Sequence, residues 1–514
     1  MTGGPIALEG TELTMDTEET KRAPIAAGFW RGYAVVVFAA GLALRIGYQL
    51  THYFWNDEAG IYRSVEVPWS EFWHWLTNYE IHPPLFHLFL RAVDLGTFGL
   101  LSPDEVKYSV LVWFVVIGGT FWWYVGLPLR TSVGISLVFG IVSLGPVTAY
   151  LGAEVRPYSL LTALFFAAVV MLDVWLQELQ RGEERRSRLV AIAVLAPLMA
   201  WTHYAGFLIG CALLVGGLCG AFVVTRRVHR RFAMAWFFGM LGTLPLVLTL
   251  LPIHMDNVAA TPTGPLRLRP LATAKFMAWA IGPTTVVFVV GIVLLVILGR
   301  GIGSLSYREP SIVAFGALAV SFVAAAYVVG FSTGGVNLVN LGVVPVPVIL
   351  LAMVLGGLLD RASGGFLAVL GVTSVILTAP MTMLVLDEPA NLSGNRVSPV
   401  DVLVDFEERT GMFNSSQGSF AVMLIDNSVM NNYFMPRARE LFPGLDIRTM
   451  SMRGGEGLQQ NGRDLAAFLA EQSERGTVRA VVITRGSFDH RVKPFLEFSW
   501  YRFDHYATVI NLQG

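Results

Sequence analysis

Eleven long apolar runs, each of 15 to 24 residues, dominate this sequence. They cover residues 30–53, 108–128, 132–151, 159–178, 189–203, 205–225, 233–252, 284–299, 311–330, 342–359 and 365–386. A helix of about 20 apolar residues spans the hydrocarbon core of a bilayer. Only 14% of the 514 residues are charged and 54% are hydrophobic, which excludes a water-soluble surface over most of the chain. We therefore predict an α-helical polytopic membrane protein.

Arginine clusters predict the orientation of the spans. Residues 181–188 and 226–231 hold four arginines each, and both fall on the side of Lys21 and Arg22 if residues 82–101 lie along the interface without crossing. Short basic loops favour the cytoplasmic side. The predicted multi-pass protein of the plasma membrane has a cytoplasmic tail (residues 1–27) and a membrane domain (residues 28–386). The loop over residues 54–107, a second loop over residues 253–283 and the region from Asp387 onward are then extracytoplasmic.

The region from residue 387 to 514 has a different composition. Apolar segments typical of strands cover residues 420–425, 446–452, 478–484 and 506–512, and amphipathic segments typical of helices cover 430–441 and 464–474. This alternation predicts a small α/β domain. No glycine-rich phosphate fingerprint follows its strands, so a structural cap or an acceptor-recognition module is the default interpretation.

Two adjacent carboxylates, Asp57 and Glu58, follow the first apolar run. A carboxylate at the membrane surface is partly desolvated, and a raised pKa suits a general base. A solvated helix cap is the competing interpretation. After this pair, aromatic and polar residues between Tyr62 and Tyr79 alternate in a way that predicts an amphipathic helix in the interface.

Three further polar motifs map to the same predicted membrane face. His82-Pro83-Pro84 combines a potential phosphate ligand with a stiff helix start. Arg156 has a guanidinium suited to phosphate and Glu154 could orient it, although an interfacial salt bridge is equally consistent. The third motif, Trp201-Thr202-His203-Tyr204, lies at a hairpin between two runs. Convergence of separate motifs on one face indicates a site.

Several classes of partner and cofactor are excluded. The net charge is −1 and no basic stripe with interleaved aromatics occurs, which argues against nucleic acid. Both cysteines, Cys211 and Cys219, lie in one apolar run, which excludes a disulfide framework and a thiolate metal site. The sequence has no Asp-x-Asp pair to hold a metal on a diphosphate. We expect no cofactor and no metal.

The polar motifs are similar in type, order and spacing to those of the dolichyl-phosphate-mannose protein mannosyltransferase-like family of bacteria and archaea. The matching segments are Asp57-Glu58-Ala59, His82-Pro83-Pro84-Leu85, Glu154-Val155-Arg156-Pro157-Tyr158-Ser159-Leu160 and Thr202-His203-Tyr204. The resemblance covers roughly residues 30–225. It implies the GT-C fold and an inverting transfer of mannose or a related sugar at the extracytoplasmic face.

The resemblance also implies roles for individual residues. The donor is a polyprenyl- or dolichyl-phosphate sugar and the acceptor is a hydroxyl of a protein, lipid or glycan. Asp57 would take the acceptor proton, and Glu58 would orient the acceptor or share the proton. The donor phosphate would be bound by His82, Arg156 and Arg63. The substrate pocket would include Tyr62, Glu154, Tyr158, His203 and Tyr204.

Two other classes of function compete with a transferase. A transporter or flippase of a lipid-linked sugar needs charged or broken helices near the middle of the membrane and internal repeats, and the apolar runs indicate neither. A non-catalytic membrane receptor would bind a ligand through the domain after residue 386, but nothing in that region names a ligand.

Overall fold

The computed structural model describes residues 19–51, 56–78, 80–101, 103–129, 131–260, 310–332, 399–411, 413, 420–426, 428–451, 457–484, 499–502 and 507–512. Within these ranges, four helices are long and apolar enough to cross a membrane: Gly28–Leu50, Lys107–Val125, Pro157–Gln180 and Tyr204–Thr225. The chain is therefore a multi-pass membrane protein. The runs predicted at 284–299, 342–359 and 365–386 lie outside the described residues.

The helices of the membrane domain are α1 (Glu19–Thr51), α2 (Asn56–Glu66), α3 (Trp69–Asn78), α4 (Leu85–Gly96), α5 (Pro103–Val106), α6 (Leu111–Val125), α7 (Val133–Leu144), α8 (Pro146–Ala153), α9 (Pro157–Gln180), α10 (Arg186–Thr202), α11 (Tyr204–Thr225), α12 (Arg230–Leu241), α13 (Leu251–Ala260) and α14 (Pro310–Ser332). Most residues of α9 are buried, and this helix packs against α6, α10 and α11. Asp173 within α9 accepts hydrogen bonds from Tyr124 Oη (2.7 Å), Gln177 Nε2 (2.7 Å) and Ser311 Oγ (2.8 Å), which ties three helices together.

The single continuous helix predicted over residues 132–151 is wrong. It is two helices, α7 and α8, separated at Gly145, whose backbone is extended (φ −64°, ψ 135°). Pro146 has no N–H to donate to the carbonyl of Val142, and Arg45 Nη2 donates to that carbonyl instead at 2.7 Å. An apolar run thus conceals a helix break.

The span predicted over residues 233–252 is also not one straight helix. The segments Arg230–Leu241 and Leu246–Asp256 meet at a bend of 47°. Leu246–Leu250 is a π-helical turn, which follows Pro245. Trp201 Nε1 donates to the carbonyl of Gly242 at 2.9 Å, so a neighbouring helix satisfies the group that the bend exposes.

The loop between α1 and α6 holds several short helices. The interfacial helix predicted between Tyr62 and Tyr79 is divided into α2 and α3 at Pro68. The 12-residue α4 is about 18 Å long, which is too short to cross a hydrocarbon core of about 30 Å. Arg91 of α4 donates to the carbonyls of Ser64 (2.6 Å) and Val67 (2.8 Å), which fixes α4 on the turn between α2 and α3.

Helices α10 and α11 form a tight hairpin. His203 is the single residue between them, and its Nδ1 accepts a hydrogen bond from Ala205 N at 3.1 Å. A Cβ added at Gly206 would lie 2.0 Å from the carbonyl oxygen of Met199. Only glycine allows this close approach.

The C-terminal region is an α/β domain with a five-stranded sheet in the order β2-β1-β3-β5-β4. Its elements are α15 (Pro399–Thr410), β1 (Phe420–Asp426), α16 (Ser428–Leu441), β2 (Asp446–Ser451), α17 (Gly457–Glu474), β3 (Arg479–Thr484), β4 (Ser499–Arg502) and β5 (Ala507–Asn511). Strands β1, β2 and β3 are parallel, and the antiparallel pair β4–β5 extends the sheet beside β3. Helix α17 packs on one face of the sheet, while α15 and α16 pack on the other. The predicted strands and helices are confirmed, and α15 and β4 were not predicted.

Candidate functional site

Glu58 links the start of α2 to the turn between α8 and α9. Its side chain is fully buried, and Oε1 accepts a hydrogen bond from Val155 N at 2.7 Å. The interpretation of this pair as a solvated cap is therefore wrong for Glu58. Asp57 lies one residue earlier in the first turn of α2, and its side chain, like that of Arg63, is outside the described atoms. A hydrogen bond thus ties the start of α2, which includes Asp57, to the residue that precedes Arg156.

Arg156 stands at the entrance to α9 with an extended backbone (φ −140°, ψ 160°). Its Nη1 lies 3.9 Å from Oε2 of the buried Glu154, and its Cζ lies 4.7 Å from the centroid of the Tyr158 ring. The Arg156 side chain is 15% exposed, whereas that of Glu154 is fully enclosed. A carboxylate and an aromatic face therefore orient a guanidinium that keeps a solvent-facing edge.

The rings of His82, His203 and Tyr158 form a continuous row that ends at Arg156. The His82 and His203 centroids are 5.5 Å apart, and the His203 and Tyr158 centroids are also 5.5 Å apart. Because His203 Nδ1 accepts from Ala205 N, its other nitrogen, Nε2, carries the ring proton when the ring is neutral. The row brings together residues from the first loop, the α8–α9 turn and the α10–α11 hairpin.

Glu80 holds His82 in place. Oε1 of Glu80 accepts from the backbone N–H groups of Ile81 (2.8 Å) and His82 (3.1 Å), and it lies 2.7 Å from His82 Nδ1. The His82 proton on Nδ1 therefore points at Glu80, and Nε2 is left for another partner. Burial raises the pKa of Glu80, but His87, the His82 ring and the Ile81 N–H outweigh it and lower that pKa to about 2. Glu80 is a carboxylate at neutral pH.

We refer to Glu80, His82, Glu154, Arg156, Tyr158 and His203 together as the Arg156 cluster. Its cationic and N–H groups suit an anion such as a phosphate ester.

The predicted pocket residues Tyr62 and Tyr204 lie beside the Arg156 cluster rather than in it. Tyr62 is buried among Ile61, Phe86, Leu90, Val155 and Leu160, and burial raises its pKa to about 12. Tyr204 donates from Oη to His254 Nδ1 at 2.7 Å, and His254 Nε2 donates to the carbonyl of Leu76 at 3.0 Å. Both tyrosines support neighbouring segments of the site.

The structure resembles solved membrane enzymes over almost its whole length. The superposition on ArnT from Cupriavidus metallidurans in the apo state has a TM-score of 0.54 at 13% sequence identity. It covers 94% of this chain and 98% of ArnT. The superposition on ArnT bound to undecaprenyl phosphate has a TM-score of 0.49 at 15% identity, with the same coverage. The superposition on the Archaeoglobus fulgidus oligosaccharyltransferase has a TM-score of 0.42 at 10% identity and covers 88% of this chain and 68% of that one. No protein-family model matches the chain, and no curated protein matches its sequence.

ArnT is a GT-C glycosyltransferase, and the likeness to its apo structure decides the architecture. The chain has the GT-C fold. The fold expected from the sequence resemblance is thus confirmed.

The sequence analysis missed Glu80, a member of the Arg156 cluster, and two residues near the cluster, His87 and His254. Glu80 could have been found, because Glu80-Ile81-His82 places a carboxylate two residues before a predicted phosphate ligand. His87 is fully buried with Nε2 3.7 Å from Glu80 Oε2, and burial lowers its pKa to about 4. His87 lies in the first turn of α4, and no sequence motif marks it as a site residue. His254 lies 50 residues after Tyr204, and no sequence spacing connects them.

Proposed function

We propose that this protein is a membrane glycosyltransferase that moves a sugar from a polyprenyl-phosphate carrier to an acceptor hydroxyl. The GT-C fold and the multi-pass architecture support the class of enzyme. ArnT, which has this fold, has been crystallised with undecaprenyl phosphate. The observation that carries the proposal is the hydrogen bond between Glu58 Oε1 and Val155 N, because it joins the segment of Asp57 to the segment of Arg156.

The proposed reaction is one in-line displacement. The acceptor oxygen forms a bond to the anomeric carbon while the bond from that carbon to the phosphate oxygen breaks, and Asp57 receives the acceptor proton. The configuration at the anomeric carbon inverts. The leaving group is a polyprenyl phosphate monoester that gains negative charge, so it requires cations and N–H donors rather than an acid.

The Arg156 cluster supplies such groups. The partly exposed guanidinium of Arg156 and the Nε2 of His82 face the leaving phosphate in this proposal, with Arg63 as a third group. Glu154 and Glu80 each hold one of the first two groups in position. The site lies on the extracytoplasmic side, with the N-terminus in the cytoplasm. We propose mannose or a related hexose or pentose as the sugar, and a protein, lipid or glycan hydroxyl as the acceptor.

The proposal is tested with the full chain in nanodiscs, radiolabelled polyprenyl-phosphate mannose, glucose or arabinose as donors, and a cell-envelope extract as the source of acceptor hydroxyls. We expect one donor to be consumed with release of polyprenyl phosphate. Asp57→Asn should abolish consumption while binding of undecaprenyl phosphate is retained. Asp256→Asn, at an exposed carboxylate on α13, is the matched control and should retain the full rate. Consumption at the wild-type rate in Asp57→Asn would refute the assignment of the base.

A transporter of a lipid-linked sugar is the second candidate, because α7–α8 and α12–α13 are broken helices of the kind that transporters use. The break at Gly145 is filled, however, by Arg45, which donates to Val142 O and Ser143 O at the end of α7. The two classes differ in one readout. A transporter moves the donor across the bilayer without cleaving it, and its rate does not depend on Asp57.

A further inference from the structure

One face of α1 binds the main chain of α7 and α8. Gly41, Arg45 and Gln49 are spaced by four residues and therefore lie on the same side of the helix. Gly41 permits close approach, since a Cβ there would lie 2.8 Å from the carbonyl oxygen of Ser143. Arg45 donates from Nη1 to Ser143 O (2.7 Å) and Gly41 O (3.0 Å), and from Nη2 to Val142 O (2.7 Å) and Thr148 O (3.3 Å). The guanidinium thus satisfies the carbonyl end of α7.

Gln49 and Glu58 continue this series toward the site. Gln49 is fully buried, and its Nε2 donates to the carbonyl of Ala153, the last residue of α8. Two residues later, Val155 N donates to Glu58 Oε1 at 2.7 Å. We call Arg45, Gln49 and Glu58 the main-chain clamp. Together they form hydrogen bonds to the backbone at several positions between residues 142 and 155.

All of these bonds are made to backbone atoms. The main-chain clamp therefore fixes the backbone between residues 142 and 155 independently of the side chains in that segment. Arg156 follows directly after this fixed path, and Arg156 N donates to Glu154 O at 2.8 Å within the same turn. The start of α2, which carries Asp57, is at the other end of the clamp. The clamp therefore sets the separation between the proposed base and the proposed phosphate ligand.

We propose that Glu58 is a positioning residue of the transfer reaction, which holds the turn at residues 153–156 against the start of α2 and so aligns Arg156 with Asp57. Gln49 has the same role one step earlier, at Ala153. The inference rests on the proposed function. It replaces the earlier expectation that Glu58 orients the acceptor or shares its proton.

The burial of Glu58 favours this role. A group that touches the acceptor needs an exposed atom, yet Glu58 is fully enclosed with Oε1 bonded to Val155 N. A displacement of about 1 Å between reacting groups costs about 100-fold in rate, so a bond that only positions the chain has a large kinetic effect.

The chemistry of the amide gives a direct test. The side chain in Glu58→Gln still offers an oxygen to Val155 N but cannot act as a base, whereas Glu58→Ala removes the acceptor. We expect Glu58→Gln to keep kcat/KM within about threefold of wild type and Glu58→Ala to lose about 10- to 100-fold. Glu71→Ala, at an exposed carboxylate of α3, is the matched control and should retain the wild-type value. Equal loss in Glu58→Gln and Glu58→Ala would overturn the proposal in favour of proton transfer by Glu58.

A second measurement does not depend on activity. In nanodiscs, hydrogen–deuterium exchange of a peptide covering residues 150–158 should be faster in Glu58→Ala than in wild type and in Glu58→Gln, because Val155 N–H loses its acceptor. Unchanged exchange in Glu58→Ala would overturn the clamp. If the wild type transfers no sugar but the exchange difference is present, the proposed function fails while the clamp stands.

Gln49→Leu tests the same inference without altering α2. It removes the donor to Ala153 O, and we expect about a 10-fold lower kcat/KM together with faster exchange in the same peptide. Wild-type rate and wild-type exchange in this variant would show that the clamp does not act through Ala153. If Glu58→Ala does not fold, the rate and the exchange of Gln49→Leu still test whether the clamp positions residues 153–156.

Discussion

Charged side chains serve the membrane domain and the C-terminal sheet in opposite ways. In the membrane domain, Arg45 and Glu58 are buried and bond to main-chain atoms of distant helices. In the C-terminal domain, a network of partly exposed ion pairs joins β2 to α17, with distances of 2.6 to 3.4 Å among Asp446, Arg448, Glu471 and Arg475. These side chains bond to one another, and solvent reaches all of them.

A buried charge is harder to remove than an exposed one. Removing a buried donor leaves its acceptors unsatisfied in a medium without water, whereas removing one partner of an exposed pair lets water replace it. The C-terminal network therefore contributes less stability than the bonds around Arg45, although its distances are similar to the 2.7 to 3.3 Å of those bonds.

Arg45→Met should have the largest effect on stability. The four bonds to Gly41, Val142, Ser143 and Thr148 are lost, and we expect a destabilisation of about 3 kcal/mol or more. Thermal unfolding in detergent, followed by intrinsic fluorescence, measures it. Arg31→Met, at an exposed position on the same helix, is the control. Equal unfolding temperatures for the two variants would remove the contrast between buried and exposed charges.

The buried His87 should make the membrane domain sensitive to acid. Burial lowers its pKa from 6.5 to about 4, so the unfolded chain binds more protons between these pH values and stability falls as pH falls through that window. We expect a loss of about 3 kcal/mol across the window. Glu80, 3.7 Å away, stays ionised there because its pKa is about 2.

Unfolding temperatures of wild type and His87→Phe at pH 8, 6.5, 5 and 4 check this expectation. The variant should lose less stability on acidification than wild type does. His74→Phe, at an exposed position on α3, should keep the wild-type slope. Parallel slopes for wild type and His87→Phe would show that His87 is not the group that titrates.

Arg156→Lys should affect activity and leave stability unchanged. Lysine keeps the charge but loses the planar fork that lies 4.7 Å from the Tyr158 ring and that, in the proposed function, binds two phosphate oxygens. We expect kcat/KM to fall about 100-fold, with a higher KM for the donor. Arg230→Lys, on the exposed start of α12, is the control. A fully active Arg156→Lys variant would show that a point charge is sufficient at this position.

Arg475→Ala should have the smallest effect. Its pairs with Asp446 (3.4 Å) and Glu471 (2.6 Å) are exposed, so we expect the unfolding temperature to drop by no more than about 2 °C. The same scan measures it in the full chain, with wild type as the reference. A drop as large as that of Arg45→Met would mean that the exposed network is as important as the buried bonds.

Much of the architecture could be predicted from the sequence because length and periodicity report directly on helices and strands. The strands at 420–426, 446–451 and 479–484 coincide with short apolar segments that the sequence analysis assigned to strands. The breaks at Gly145 and near Pro245 were missed, since hydropathy averages over a span and does not register a lost backbone bond.

The residues of the site were predictable by type but not by role. His82, Arg156, Tyr158 and His203 were selected as polar groups on one predicted face, and the structure places them in contact. The role of Glu58 could not be foreseen, because its partner is a main-chain N–H 97 residues away and an N–H leaves no signature in a sequence.

The hairpin between α10 and α11 also limits how this chain can change in length. One residue separates the two helices, and the carbonyl of Met199 would lie 2.0 Å from any Cβ at position 206. An insertion or deletion here would rotate α11 by about 100° about its axis and turn its buried surface toward lipid. Indels at this tip are therefore incompatible with the bundle.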